Sequence, residues 1–137
     1  MNSRSFLMVS LLNTAIAASA TATVGGTAVD LANYFPVGKR EIKFVLAAVQ
    51  APTTSTGFVA IMTVQECDST ATASFTNVVA ADGSTVTKTN TDGVNHVTEF
   101  HGFVTKRYVR VLYNAGQATT GSNFALTAVA FPVVRAA

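Results

Sequence analysis

The segment RYVRVLY, residues 107–113, decides the fold of this 137-residue chain, because its side chains alternate with a period of two. Apolar side chains suited to a core share one face of the segment: Val109, Val111 and Tyr113. The opposite face carries Arg110. Strict alternation of this kind is typical of a β-strand with one buried and one outward face. We therefore predict a strand here, with Arg110 pointing away from the core.

Three further segments have strand length and the same period: EIKFVLAAVQ (41–50), FVAIMTVQE (58–66) and NFALTAVAF (123–131). Both faces of the first two are largely apolar, which favours central strands that are covered on each side. Pro132 follows the third segment and restricts it to a sheet edge or makes it end there, because proline cannot donate a ladder hydrogen bond.

Turn-forming residues recur at short intervals between these segments, and no window shows helical periodicity with caps. The Asp82-Gly83 and Asp92-Gly93 pairs are typical of hairpin turns. The polar stretch between them, residues 84–92, is expected to project as a loop. We count about eight strands and predict an all-β fold: an antiparallel two-sheet sandwich, jelly-roll-like, with an N-terminal arm.

The length favours one main domain, which we assign to residues 24–137, preceded by an N-terminal arm or first strand at residues 1–23. The first 22 residues resemble a secretory signal, but they carry one Arg and are interrupted by Asn13 and Thr14. We expect this arm to dock on another chain through apolar residues such as Phe6 and Leu7. No apolar run reaches the roughly 18 residues needed to span a membrane, so no membrane partner is expected.

Composition favours assembly. Charged residues make up 12% of the chain, hydrophobic residues 49%, and the net charge is +2. Such a surface is better covered by neighbouring subunits than left in water. The balance is too weakly basic for nucleic acid. Cys67 is the only cysteine, which excludes an internal disulfide and favours a reducing compartment.

Catalytic and metal-binding patterns are not found in the sequence. His96 and His101, the only histidines, are five residues apart, which on a strand places them on opposite faces. Glu66 and Asp68 flank a strand-to-turn junction, where a structural role is favoured over acid–base chemistry. There is no nucleophile elbow and no phosphate-binding loop. We expect no enzyme activity, no cofactor and no metal.

Basic residues are concentrated in one place: Lys106, Arg107 and Arg110 lie within five positions. Single-stranded nucleic acid would require aromatic and basic side chains together on one exposed face. Tyr108 shares the face of Arg110 but Tyr113 does not. We therefore expect this group to contact a partner protein, with Arg110 meeting a carboxylate or carbonyl group.

The order of segments resembles the small head decoration (cement) proteins of tailed bacteriophages with HK97-type capsids. The likeness covers most of residues 24–131 and depends chiefly on VQECDSTATASFTNVV (64–79) and KRYVRVLYNAG (106–116). The turn at Cys67-Asp68-Ser69-Thr70 departs from the Asp-Gly turn usual in that family.

This resemblance implies a structural virion protein that is made in the host cytoplasm and stiffens the capsid surface. It implies a homotrimer bound to the major capsid protein, with no cofactor and no catalytic residues. Two other functions remain open from the sequence. One is a tail or head–tail connector subunit; the other is a carbohydrate-binding sandwich, although tryptophan platforms are missing.

Overall fold

A computed structural model describes residues 8–17, 23–34, 40–50, 59–70, 74–91, 96–116 and 123–133. Within these ranges the chain forms strands and one short 3₁₀-helix, Leu31–Asn33. The strands are β1 (Val9–Ala17), β2 (Thr23–Gly25), β3 (Val29–Asp30), β4 (Arg40–Gln50), β5 (Val59–Cys67), β6 (Thr76–Asn77), β7 (Val79–Ala80), β8 (Thr87–Thr91), β9 (His96–Val104), β10 (Tyr108–Gly116) and β11 (Asn123–Pro132). No described segment forms a helix long and apolar enough to cross a membrane.

The strands form two antiparallel sheets, which confirms the predicted all-β sandwich. Sheet A has the order β1-β11-β4-β9-β7. Sheet B has the order β2-β10-β5-β6, with β3 also paired to β10 and β8 to β5. The two longest ladders of sheet A join β4 to β11 and to β9, each over nine residue pairs.

The core lies between the sheets and is built from the alternation seen in the sequence. Val109 and Val111 of β10 are fully buried, and Tyr113 packs against the core. Arg110, on the opposite face, is half-buried. The prediction for RYVRVLY is confirmed. Sheet A contributes fully buried side chains from β4 and β11: Ile42, Leu46, Leu126, Ala128 and Ala130.

The expectation that two central strands are covered on both sides is wrong for β4 and β5 within this chain. Their inward side chains are buried, but Val45 and Ala47 of β4 and Ile61 and Thr63 of β5 stay half-exposed on the other side. Only one face of sheet A meets sheet B, because a two-layer sandwich has a single interior. Pro132 ends β11, which lies between β1 and β4 rather than at an edge.

The loop expected at residues 84–92 is largely a strand. Val86 is fully buried, and β8 pairs with β5 from Thr87 to Thr91. Gly83 has a φ of 87°, as a hairpin turn after Asp82 requires. The second predicted turn, at Asp92-Gly93, lies outside the described residues.

The N-terminal segment contains β1, which pairs with β11 of the same chain in eight register positions, with a bulge between Ser10 and Leu12. Val9, Leu11 and Leu12 are buried in the core. Residues 9–17 thus form an edge strand of sheet A. Residues 1–7, with the expected contacts Phe6 and Leu7, and residues 18–22 lie outside the described residues.

Candidate functional site

The basic segment begins at a turn between β9 and β10 that a buried carboxylate holds in place. Glu66 of β5 is only 7% exposed. Its carboxylate accepts hydrogen bonds from the backbone N–H of Thr105 (2.8 Å) and of Lys106 (3.2 Å). It also accepts one from the Thr105 hydroxyl (3.0 Å). With three donors in place, Glu66 orients the turn, which supports the structural role favoured for it above.

Arg107 is bound to a carboxylate of its own chain. Its Nε donates to Asp30 Oδ1 at 3.0 Å and its Nη2 to Asp30 Oδ2 at 2.7 Å. The hydrogen bond to the Asp30 side chain, with its negative charge, raises the pKa of Arg107. The backbone supports the same contact, because Leu31 N–H donates to the Arg107 carbonyl at 3.0 Å. Arg107 therefore anchors the segment after β3.

Lys106 also has a partner within the chain. Its Nζ donates to the hydroxyl of Thr76, on β6, at 3.2 Å. The side chain is half-buried. The structure therefore connects two of the three predicted contact residues to neighbouring strands of sheet B.

Arg110 differs from both. Its Nε donates to Gln65 Oε1 on the adjacent strand β5 at 3.1 Å. The guanidinium carbon lies 3.7 Å from the centre of the Phe75 ring, a close cation–π contact. No carboxylate of the described residues forms an ion pair with it.

Gly25 of β2 provides the space that the Arg110 guanidinium occupies. A Cβ atom built on Gly25 would lie 2.6 Å from Arg110 Nη1 and 3.1 Å from its guanidinium carbon. Real Cβ atoms do not approach other atoms so closely, so any larger residue at position 25 would displace the guanidinium. The absence of a side chain here is a requirement of the site.

Lys88 is the second charged side chain that is buried among the described residues, at 7% exposure. It extends from β8 of sheet B to β9 of sheet A, where its Nζ donates to the Thr98 hydroxyl at 2.6 Å. Burial lowers the pKa of Lys88, because the charged form is poorly solvated there. No sequence pattern indicates this contact, because Lys88 lies among polar residues in TKTNT (87–91).

The other candidate residues are placed separately. His101 lies on the outer face of sheet A, with Nδ1 3.5 Å from Glu41 Oε1. The β9–β4 ladder runs without a bulge from His96 to Val104. No group of three or more metal-ligating side chains occurs within the described ranges. Cys67 is a fully buried free thiol.

Sequence reasoning found the basic residues but missed the side chains that position them. Phe75, Gln65 and Gly25 come from three different strand regions, so only the paired sheet brings them to Arg110. The alternation of β10 could indicate the direction of Arg110, but the sequence does not show which strands lie beside it.

Comparison with known proteins adds no assignment. No protein-family model matches the chain, and no curated protein sequence matches it. Support for a function therefore comes from the surface of the molecule and from the resemblance of residues 64–79 and 106–116 to head decoration proteins.

Proposed function

We propose that this chain is a structural virion protein that decorates and stabilises a bacteriophage capsid as an oligomer. It would be made in the host cytoplasm and act on the capsid surface, with the major capsid protein as its partner. The resemblance of residues 64–79 and 106–116 to head decoration proteins supports this function. One observation on the fold carries it: an apolar sheet surface that the chain itself leaves uncovered.

That surface is the outer face of sheet A, which we define by Val45, Ala47, Val97, Val129 and Phe131. Val45 lies between Val129 and Glu99 in the ladder, and Ala47 lies between Thr127 and Val97. Val97 is 65% exposed, and the other four side chains are half-exposed. Lys43, Glu99 and Thr127 lie among these residues on the same face. Exposed apolar side chains grouped at the centre of a sheet are typical of a protein interaction surface.

A second copy of the chain is the partner we propose for the outer face of sheet A. The polar side chains of this face have partners within the chain: Lys43 pairs with Glu99 at 3.4 Å, and His101 lies beside Glu41. Such a face does not repel a neighbouring copy of a chain whose net charge is only +2. The homotrimer implied by the resemblance is the oligomer we propose.

We also infer jelly-roll connectivity. In chain order, β1, β4, β9 and β11 belong to sheet A, whereas β2, β5, β8 and β10 belong to sheet B. The chain therefore passes between the two sheets along pairs of strands, and these eight strands form two Greek keys. The remaining strands, β3, β6 and β7, are two residues long each.

Sedimentation tests the oligomer. Val45→Lys places a charge in the middle of the outer face of sheet A and should shift the protein to monomer without unfolding it. Val24→Lys is the matched control, because Val24 is an exposed valine, at 41%, on β2 of the other sheet. A wild-type protein that sediments as a monomer at micromolar concentration would contradict the proposed assembly.

Binding to capsids tests the function itself. Purified protein is added to undecorated capsid shells, and bound copies are located by cryo-electron microscopy. Wild-type protein should occupy repeated positions on the shell and raise the temperature at which the shell disrupts. Density on the tail or at the head–tail junction alone would assign the protein to the connector class instead.

Two truncations separate the roles of the N-terminal residues. Removing residues 1–7 deletes Phe6 and Leu7 but keeps β1, so the sandwich should keep its stability while capsid binding weakens. Removing residues 1–17 also deletes β1 with buried Val9, Leu11 and Leu12, and should lower the melting temperature sharply. Unchanged capsid binding by the shorter truncation would exclude Phe6 and Leu7 as contacts.

A further inference from the structure

We infer that Arg110 is a receptor for a single carboxylate group, an Asp or Glu side chain of the partner protein. The site consists of Arg110 with Gln65, Phe75 and Gly25, which fix the position of its guanidinium group. That the partner is the major capsid protein rests on the proposed function. The carboxylate chemistry rests on the site alone.

The contacts of Arg110 leave the hydrogen-bonding end of its guanidinium group for a ligand. Nε is used by Gln65, and one flat side of the group faces the Phe75 ring. Within the described residues, Nη1 and Nη2 donate no hydrogen bond. Two N–H groups in one plane match the two oxygens of a carboxylate.

The position of the group is fixed before any ligand arrives. The bond to Gln65, the stacking on Phe75 and the close approach to Gly25 restrict the side-chain rotamers. Much of the conformational entropy that an arginine normally loses on binding is therefore lost already in folding.

Arg107 provides an internal comparison. Three residues earlier in the chain, it binds the carboxylate of Asp30 through Nε and Nη2. Arg110 lies on the same sheet and is half-buried, but it has no such carboxylate among the described residues. A partly desolvated cation without a counter-ion gains more from an incoming carboxylate than a fully hydrated one does.

The ligand is a single carboxylate rather than a nucleic-acid backbone. Phosphate chains are bound by several cations in a row. Here the neighbouring cations already have partners, since Lys106 donates to Thr76 and Arg107 to Asp30. One available guanidinium group is suited to one carboxylate.

The first experiment needs no capsid. The ¹H–¹⁵N signal of Arg110 Nε–H is followed during titration with sodium acetate, against sodium chloride at equal ionic strength. We expect a saturable shift that only acetate causes, and its loss in Gly25→Ala, where the added Cβ displaces the guanidinium group. Equal shifts with acetate and chloride, or an unchanged response in Gly25→Ala, would overturn the carboxylate site.

The second experiment measures affinity for undecorated capsid shells. Arg110→Lys keeps the charge but loses the planar pair of donors, and Phe75→Leu keeps an apolar side chain but loses the ring face. Arg110→Ala should weaken binding about 30-fold or more, and Arg110→Lys by nearly as much. Lys106→Gln is the comparison for loss of charge: it removes a nearby positive charge whose Nζ donates to Thr76, and it should weaken binding less than Arg110→Lys does.

The two experiments separate the possible failures. Equal losses in Arg110→Lys and Lys106→Gln, or full binding by Arg110→Ala, would overturn Arg110 as the contact with the capsid. If wild-type protein fails to bind shells at all, the proposed function fails, while the acetate titration still decides whether the carboxylate site exists. Melting temperatures of all variants show whether any loss of binding comes from unfolding.

Discussion

Asp30 and Arg107 are 77 positions apart in the chain, yet their side chains meet through parallel hydrogen bonds of 3.0 and 2.7 Å. The same Asp30 carboxylate accepts a hydrogen bond from Ala32 N–H at 3.0 Å and so caps the 3₁₀-helix. One carboxylate therefore fixes the start of a helical turn and joins it to the basic end of β10.

We predict that Asp30→Ala lowers the melting temperature more than Asp30→Asn does. Asparagine can still cap the helix through its side-chain oxygen, whereas alanine loses both the cap and the ion pair. The pair with Arg107 is solvent-exposed, so salt should screen it. Thermal unfolding at low and high salt checks this: the deficit of Arg107→Ala should shrink in high salt, and a deficit independent of salt would contradict it.

Glu66 gives a stronger effect because it is buried. In Glu66→Ala the backbone N–H groups of Thr105 and Lys106, which both donate to Glu66 Oε2, lose their acceptor. We expect a loss of about 1–3 kcal/mol in the free energy of unfolding, the cost of a buried donor left unsatisfied. Urea unfolding measures it.

The matched control for Glu66→Ala is Glu99→Ala, which removes an exposed carboxylate paired with Lys43. Its effect should be well under about 1 kcal/mol, as for other surface ion pairs. Equal losses in the two variants would mean that Glu66 does not hold the β9–β10 turn.

Lys88 should reduce stability at neutral pH. Burial lowers the pKa of Lys88 in the folded protein, so the unfolded chain binds this proton more tightly. The free energy of unfolding should therefore rise with pH between the lowered pKa of the folded state and the ordinary lysine pKa of about 10.4. Above that range, the contribution becomes constant.

Lys88→Met tests this contribution. Methionine has a similar shape without the charge, so the variant should be more stable at pH 7 by on the order of 1 kcal/mol. Urea unfolding at pH 7 and pH 10 should show the advantage shrinking at the higher pH. An advantage that does not change with pH, or a loss of stability at pH 7, would contradict the role of the buried charge.

Gly102 tests how tightly the core is packed. A Cβ atom there would lie 2.9 Å from Phe44 Cε2, 3.1 Å from Val78 Cγ1 and 3.2 Å from Val86 Cγ2. Gly102→Ala should therefore destabilise the protein by about 1–3 kcal/mol through overpacking.

The control for Gly102 is Gly83, where the space is open but φ is 87°. Gly83→Asn should cost little, because asparagine tolerates this conformation, whereas Gly83→Ala should cost more. If Gly102→Ala is as stable as wild type, the interior beside Phe44 is looser than the structure indicates.

Local patterns predicted much of the fold. The alternation in RYVRVLY correctly identified the buried face of β10, because a strand with one face in the core must alternate. The turn glycine Gly83 was identified from its Asp-Gly pair. These features depend only on residues close together in the chain.

The features that the sequence patterns do not predict depend on residues far apart in the chain. The strand β8 was taken for a loop because Thr87–Thr91 has no apolar alternation, and its ladder to β5 was not visible in its own residues. The stacking of Arg110 on Phe75 and the capping of the turn by Glu66 join segments 35 to 40 positions apart. Sequence position alone does not indicate such pairs before the sheets are assembled.

The buried thiol of Cys67 allows the opening of sheet B to be measured while other proteins are present. Cys67 ends β5, faces the start of β10 and is fully buried, so a thiol reagent can reach it only when these two strands separate. The rate of its modification therefore reports how often this part of the sheet opens. The chain has one cysteine, so each modified molecule gains the mass of one label. Mass spectrometry can follow this polypeptide separately even when many copies of another protein surround it. A slower rate on capsids than in free solution would measure how much the partner reduces the opening of the sandwich around Cys67.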